Sequence, residues 1–315
     1  MDHVATAPWS NGKGRADPCA VGQLRAYTWL WNRDRPDMPV LGWGVICALL
    51  LLECKRRHVP VDAVPELGYP SCTDAGPEDA GVVVARGHIR AGPISNEKNV
   101  VERFDLRRTA CGYTFRSRQE WPLDISDVEV RYDANLSPIW AWKRMTIAGS
   151  KLPNGNADIR RYELRTGAVF IKRRDATDSV TFERLLPGGR MKAPPGARVD
   201  AVIGPGRGVL TAWLRRAKLP VGGKTYGLVL DFRSMLEELE IASLERNADR
   251  FEPSLARSVR VYTFYGQETI FADDADVVIG DLAGMRPSDS LASPVSGLVE
   301  DTVSVPADSA NFTPW

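Results

Sequence analysis

Histidine and cysteine run out early in this chain. Of its 315 residues three are histidine and five are cysteine, and the last of each are His88 and Cys111. Everything beyond lacks an imidazole and a thiol. That stretch cannot build a Ser-His-Asp triad, a Cys-His pair, or a His- or Cys-ligated zinc or iron site. The commonest general base is missing with them. Cys19, Cys47, Cys54, Cys72 and Cys111 include no C-x-x-C pair, which argues against a structural zinc site. Cys72 and Cys111 could pair in an oxidising compartment, but one candidate pair is weak evidence, and unpaired thiols are the simpler reading.

An excess of one charge sign is missing as well. Lys and Arg number 41 and Asp and Glu 40, a formal net charge of +1. No global field points to nucleic acid or an anionic membrane. The arginines between Arg131 and Arg174 alternate with Glu, Asp and apolar residues, the pattern of a solvated sheet face rather than a phosphate-binding stripe. Hydrophobic residues make up 43% and charged residues 26%, ordinary for a globular protein with a core of normal size.

No apolar run reaches the ~20 residues that a spanning helix usually needs. The longest starts at Val40, after Met38 and Pro39, and ends at Leu52. Its length suits the apolar region of a signal peptide. Arg33, Asp34, Arg35 and Asp37 cancel before it, so a clean positive flank is absent. Translation from Met38 would leave residues 1–37 upstream of the true start; otherwise they form a disordered leader. Leu51-Leu-Glu-Cys54 resembles a lipoprotein cleavage box, but Glu53 stands where a small residue is wanted. Lys55, Arg56 and Arg57 suit the cytoplasmic flank of a short membrane anchor, and a buried core helix is the bland alternative. Residues 38–57 are expected to be a signal or anchor, with membrane contact through residues 40–52. Residues 58–81, rich in Pro, Asp and Gly, are expected to be a linker.

From residue 82 to 285 the pattern is short β runs broken by turn residues. Val128, Val130 and Tyr132 share a face. Trp140 and Trp142 share one face of the next run, with Ile139, Ala141, Met145 and Ile147 on the other. Asn154-Gly155 and Thr166-Gly167 mark tight turns. Such close spacing implies an antiparallel meander. One helix interrupts it: over residues 209–219, Val209, Leu210, Trp213, Leu214 and Ala217 form one stripe, with Arg215, Arg216 and Lys218 outside it. Residues 235–246 fit helix or strand. Residues 286–315 read as a disordered tail.

Three motifs suggest ligands and fall short of them. Gly204-Pro-Gly-Arg-Gly208 between a strand and a helix imitates a dinucleotide loop, but the spacing is G-x-G-x-G and no repeating βαβ pattern follows. Gly222-Gly-Lys-Thr225 lacks the earlier glycine of a P-loop and reads as a hairpin turn. Asp273-Asp-Ala-Asp276 has too few ligands for calcium and reads as a turn.

The small helix, then Pro220-Val-Gly-Gly-Lys224 leading into an alternating strand, then strands ending at Asp273-Asp-Ala-Asp-Val-Val-Ile-Gly-Asp281, resemble a bacterial envelope β-domain family of unknown function. That family is itself similar to the lipoprotein-carrier half-barrels. The resemblance covers residues 204–284, with residues 127–186 matching in pattern only. It implies an exported protein, a curved antiparallel sheet wrapped around a short helix, and an apolar ligand; it carries no catalytic residue.

The expected fold is mainly β, a half-barrel with one short central helix. The expected function is a non-enzymatic domain of the cell envelope, periplasmic or membrane-anchored. Its partner would be an acyl chain or an apolar segment of an envelope protein, held in a groove lined by Trp140, Trp142, Tyr162, Val209, Leu210, Trp213 and Leu214. A purely structural domain with a filled core is the alternative. A hydrolase using carboxylates alone is the third, with Glu120, Asp124 and Asp127 near Trp121. No catalytic residue, metal, cofactor or nucleic acid is expected.

Overall fold

A computed structural model of the chain describes residues 58–61, 81–92, 100–147, 157–189, 191–233 and 236–288. The chain falls into two units, residues 1–58 and 59–315. All described residues except His58 belong to the second. The expected apolar helix and most of the expected linker and tail lie outside the described residues.

Among the described residues two sheets, one α-helix and a single 3-10 turn (Pro253–Leu255) make up the fold. In chain order the strands of the first sheet are β1 (His58–Pro60), β2 (Val82–Ala91), β3 (Val101–Thr109), β4 (Gly112–Glu120), β5 (Asp124–Tyr132), β6 (Pro138–Ile147), β7 (Asp158–Arg165), β8 (Ala168–Arg174) and β9 (Val180–Leu185). Then follow β10 (Val199–Ile203), the helix α1 (Leu210–Ala217), β11 (Lys224–Asp231), β12 (Glu238–Arg246), β13 (Arg250–Glu252), β14 (Arg257–Phe264), β15 (Glu268–Ala272), β16 (Val278–Asp281) and β17 (Met285–Pro287). From β2 to β9 each strand pairs antiparallel with the next. The last strand, β17, returns to close the other side of β2. This sheet curves into a half-barrel. The second sheet runs β10-β11-β12-β14-β15-β16, with β13 beside β14.

Local chemistry sets the turns. Thr166 and Gly167 join β7 to β8, and Gly167 takes φ +77°, which glycine adopts without steric cost. Asp133 caps its loop by accepting the N–H groups of Asn135 and Ser137, and Asp175 does the same for Thr177 and Ser179.

The period of two sorts the first sheet into faces. Leu106, Phe115, Val130, Ala141, Tyr162 and Ile171 stand opposite one another across β3 to β8 and enter the main core. The row behind them is Asp105, Arg116, Glu129, Trp142, Arg161 and Lys172. This second row is largely buried charge: Asp105 and Glu129 are 1% and 2% exposed, and Arg107, Arg116 and Arg131 pair with them. Core residues of the second sheet and of α1 join the same cluster.

Several expectations are corrected. The sheet system is not antiparallel throughout, since β10 and β11 are parallel. A parallel pair needs a crossover, and the helix expected inside the meander supplies it. That helix is shorter than residues 209–219, because Val209 is its N-cap and Lys218, in the left-handed region, its C-cap. Residues 238–246 are strand, paired on both sides. Strand β1 lies inside the expected linker, and Arg286 and Pro287, assigned to the tail, belong to β17. Cys111 is disulfide-bonded, with its partner outside the described residues; the reading of unpaired thiols fails there.

Candidate functional site

The expected groove lining separates into two faces. Tyr162, Val209, Leu210, Trp213 and Leu214 do meet in the main core, and none is more than 3% exposed. They pack rather than line a space. The Trp213 ring meets Phe264 edge-on at 5.7 Å between centroids, and Tyr162 stacks on Phe232 at 5.0 Å. Trp140 and Trp142 are not with them. Ala141 opposes Tyr162 in the pairing of β6 with β7, so its two neighbours must project from the other face. There the guanidinium groups of Arg131 and Arg161 lie 5.0 and 5.8 Å from the Trp140 ring.

A charged nest inside the first sheet escaped sequence reasoning. Arg160, 1% exposed, donates to Glu237 and to both oxygens of Asp158 at 2.9 and 3.0 Å. Tyr162 donates its hydroxyl to Glu237 at 2.9 Å, and Arg173 donates to Asp158 at 2.8 Å. Next to Arg160, Lys143 donates its ammonium to the Phe232 carbonyl at 2.7 Å. Burial, helped by the Arg160 charge, lowers the Lys143 amine to about 8, against the pull of Glu237, Asp158 and Asp231. Burial alone would raise Asp158, but the bonds from Arg160 and Arg173 outweigh it and hold that carboxyl below the usual range. The available signal was parity: Lys143 and Arg160 share the inward phase of Ala141 and Tyr162. Both carboxylates of this nest are engaged by Arg160, which makes it a clamp between the sheet and the chain after β11.

The other carboxylate group is bridged too. Arg118 joins Glu120 at 3.0 Å and Asp127 at 3.4 Å, while Trp121 donates to Gln119. Burial raises the Asp127 carboxyl.

The glycine loop before α1 already holds a carboxyl group. The backbone N–H groups of Arg207 and Gly208 donate to Glu102 at 2.7 and 2.8 Å. This is the place at a helix N-terminus where a phosphate would sit, and a buried carboxylate from β3 fills it. A Cβ on Gly206 would lie 2.2 Å from that carboxylate, and one on Gly208 would lie 2.3 Å from the Phe104 ring. The glycines permit close packing here. Burial pushes the Glu102 carboxyl up to about 7, against the two N–H bonds and Arg207.

The remaining motifs are turns. Gly222, at φ +78°, turns the chain into β11, and Lys224 pairs across the sheet with Glu245. Asp273 accepts the N–H groups of Ala275 and Val277, and Asp276 accepts from Arg260 and Tyr262. A surface groove of about 600 Å³ lies against β11 and β12, lined by Met191, Pro194, Tyr226, Leu228 and Ile241 among others.

No protein family and no curated protein matches the chain. A DUF1089 family protein from Pseudomonas aeruginosa is similar to it in structure with a TM-score of 0.33 and 16% identity, over 60% of this chain and 92% of that one. A beta-barrel-like protein of domain of unknown function DUF1849 from Brucella abortus is similar with a TM-score of 0.34 and 13% identity, over 62% of this chain and 81% of that one. Likeness at this level transfers no residue and no activity.

Proposed function

We propose that this is a non-enzymatic, exported β domain of the cell envelope that works by presenting a rigid surface to an envelope partner. One observation carries this reading: of the residues expected to line a ligand groove, Tyr162, Val209, Leu210, Trp213 and Leu214 pack in the main core, and Trp213 is 3% exposed. A domain whose interior is occupied by its own side chains has its outer surface left for work. Export is supported by the disulfide at Cys111, since such bonds persist in oxidising compartments. It is supported too by the apolar run that ends at Leu52 and by the likeness to the lipoprotein-carrier half-barrels read from the strands after α1.

The surface groove beside β11 favours a second reading, in which an apolar segment or acyl chain docks outside the core. Tyr226, 57% exposed, and Met191, 44% exposed, stand at that groove.

Both readings are tested on protein purified from its own host. Fractionation should find it processed or membrane-bound, and alkylation before and after reduction should show Cys111 protected. Full-length, unprocessed protein in the soluble cytoplasm with a reactive Cys111 would refute export. Native mass spectrometry separates the two readings: co-purified lipid supports the second, and a bare polypeptide the first.

A further inference from the structure

At the C-terminal end of α1 a pocket of about 370 Å³ opens between four elements. Arg215 and Lys218 come from the helix and its cap, Arg246 from the end of β12, Arg260 from β14, and Asp274 and Asp276 from the turn after β15. Four cations thus face the two carboxylates of the lining, with Asp249 behind Arg246 as a third, in a chain whose formal charge is only +1. Asp276 is already engaged, accepting from Arg260 at 2.7 Å and from the Tyr262 hydroxyl at 2.6 Å.

Backbone conformation marks the same place. Lys218 and Asp276 take φ +44° and +60°. Lys218 stands at the helix C-cap, where glycine meets least steric resistance. A non-glycine residue held in this backbone conformation marks a place where function can be sought. Lys218 is exposed, and among the described residues nothing engages its ammonium.

The arginines are set rigidly. The Arg246 side chain is 11% exposed, and it reaches the Leu219 carbonyl at 3.4 Å and Asp249 at 2.7 Å. Its Nε is buried with no hydrogen-bond partner among the described residues. The guanidinium sits 5.8 Å from the Tyr262 ring centroid. Arg215 is fixed by the Val84 carbonyl at 2.7 Å. Planar guanidinium groups held in place suit tetrahedral oxyanions, and a lysine adds a mobile point charge.

We infer that this pocket binds a phosphate-class oxyanion, with Arg246 and Arg260 as the fixed donors and Lys218 closing over it from the solvent side. The volume exceeds that of a single tetrahedral oxyanion, so the phosphate would be part of a larger group, free or on a lipid headgroup. Asp274, exposed and opposed in charge, limits the affinity.

The test uses full-length protein at constant ionic strength, with two probes: pyrophosphate by calorimetry, and phosphatidylcholine vesicles with or without phosphatidic acid by co-sedimentation. Lys218→Gly should keep the thermal stability close to wild type, because glycine accepts the backbone conformation, yet weaken binding by roughly tenfold. Asp274→Asn should tighten it. Saturable pyrophosphate binding with these responses assigns a free oxyanion. Phosphatidic acid-dependent sedimentation with the same responses assigns a lipid-borne phosphate. Binding to neither probe, or binding that Lys218→Gly leaves unchanged, overturns the proposal.

Discussion

Glu102 Oε1 accepts the backbone N–H of Gly208 at 2.8 Å, across 106 positions of sequence. The bond ties β3 to the loop that starts α1, and it puts a protein carboxylate where a nucleotide phosphate was conceivable. Gly206 is small because of it. Gly206→Ala should drive a methyl group into that carboxylate and cost about 1–3 kcal/mol, read as a lower midpoint in urea. Micromolar affinity for ATP or NAD in the parent protein would contradict this account of the loop.

The same carboxylate should give a pH signature. Its folded value is about 7 against an ordinary 4.5. The folded state binds this proton more tightly, so the stability it contributes is complete below about pH 4.5 and lost as pH rises through 7. The difference amounts to about 3 kcal/mol. Glu102→Gln cannot titrate. The stability of wild type minus that of the variant should therefore fall across this window, and a flat difference would show that Glu102 titrates normally.

Arg160 joins Glu237 and Asp158 in a nearly dry site. Arg160→Met strips the guanidinium from Glu237, leaves Asp158 with Arg173 alone, and should cost about 3–5 kcal/mol. If equilibrium unfolding shows less than 1 kcal/mol, the site is wetter than its burial implies.

Trp213 is the most informative core residue. Trp213→Ala should cost about 3–5 kcal/mol by leaving a cavity against Phe264. In a variant with the other tryptophans replaced by Phe, Trp213 emission should stay blue and unmoved by long-chain lipid. A lipid-dependent shift together with a small stability loss would mean that the interior admits a ligand after all.

Much of this architecture could be read from local pattern. Alternation over Val128–Tyr132 and around Trp140 and Trp142 reveals strands because apolar residues recur at the pleat period. The stripe through Val209, Trp213 and Ala217 reveals the helix, and Thr166-Gly167 a turn, because backbone preference acts over a few residues. Alternation names two faces of a strand and cannot say which is covered. The second sheet and α1 decided that Tyr162 faces the core while Trp140 and Trp142 face away from it. The Glu102 loop and the Arg160–Glu237 pair join residues 106 and 77 positions apart. Contacts of that span leave no periodic trace in the chain, and they exist only once distant strands and loops have been brought together by the fold.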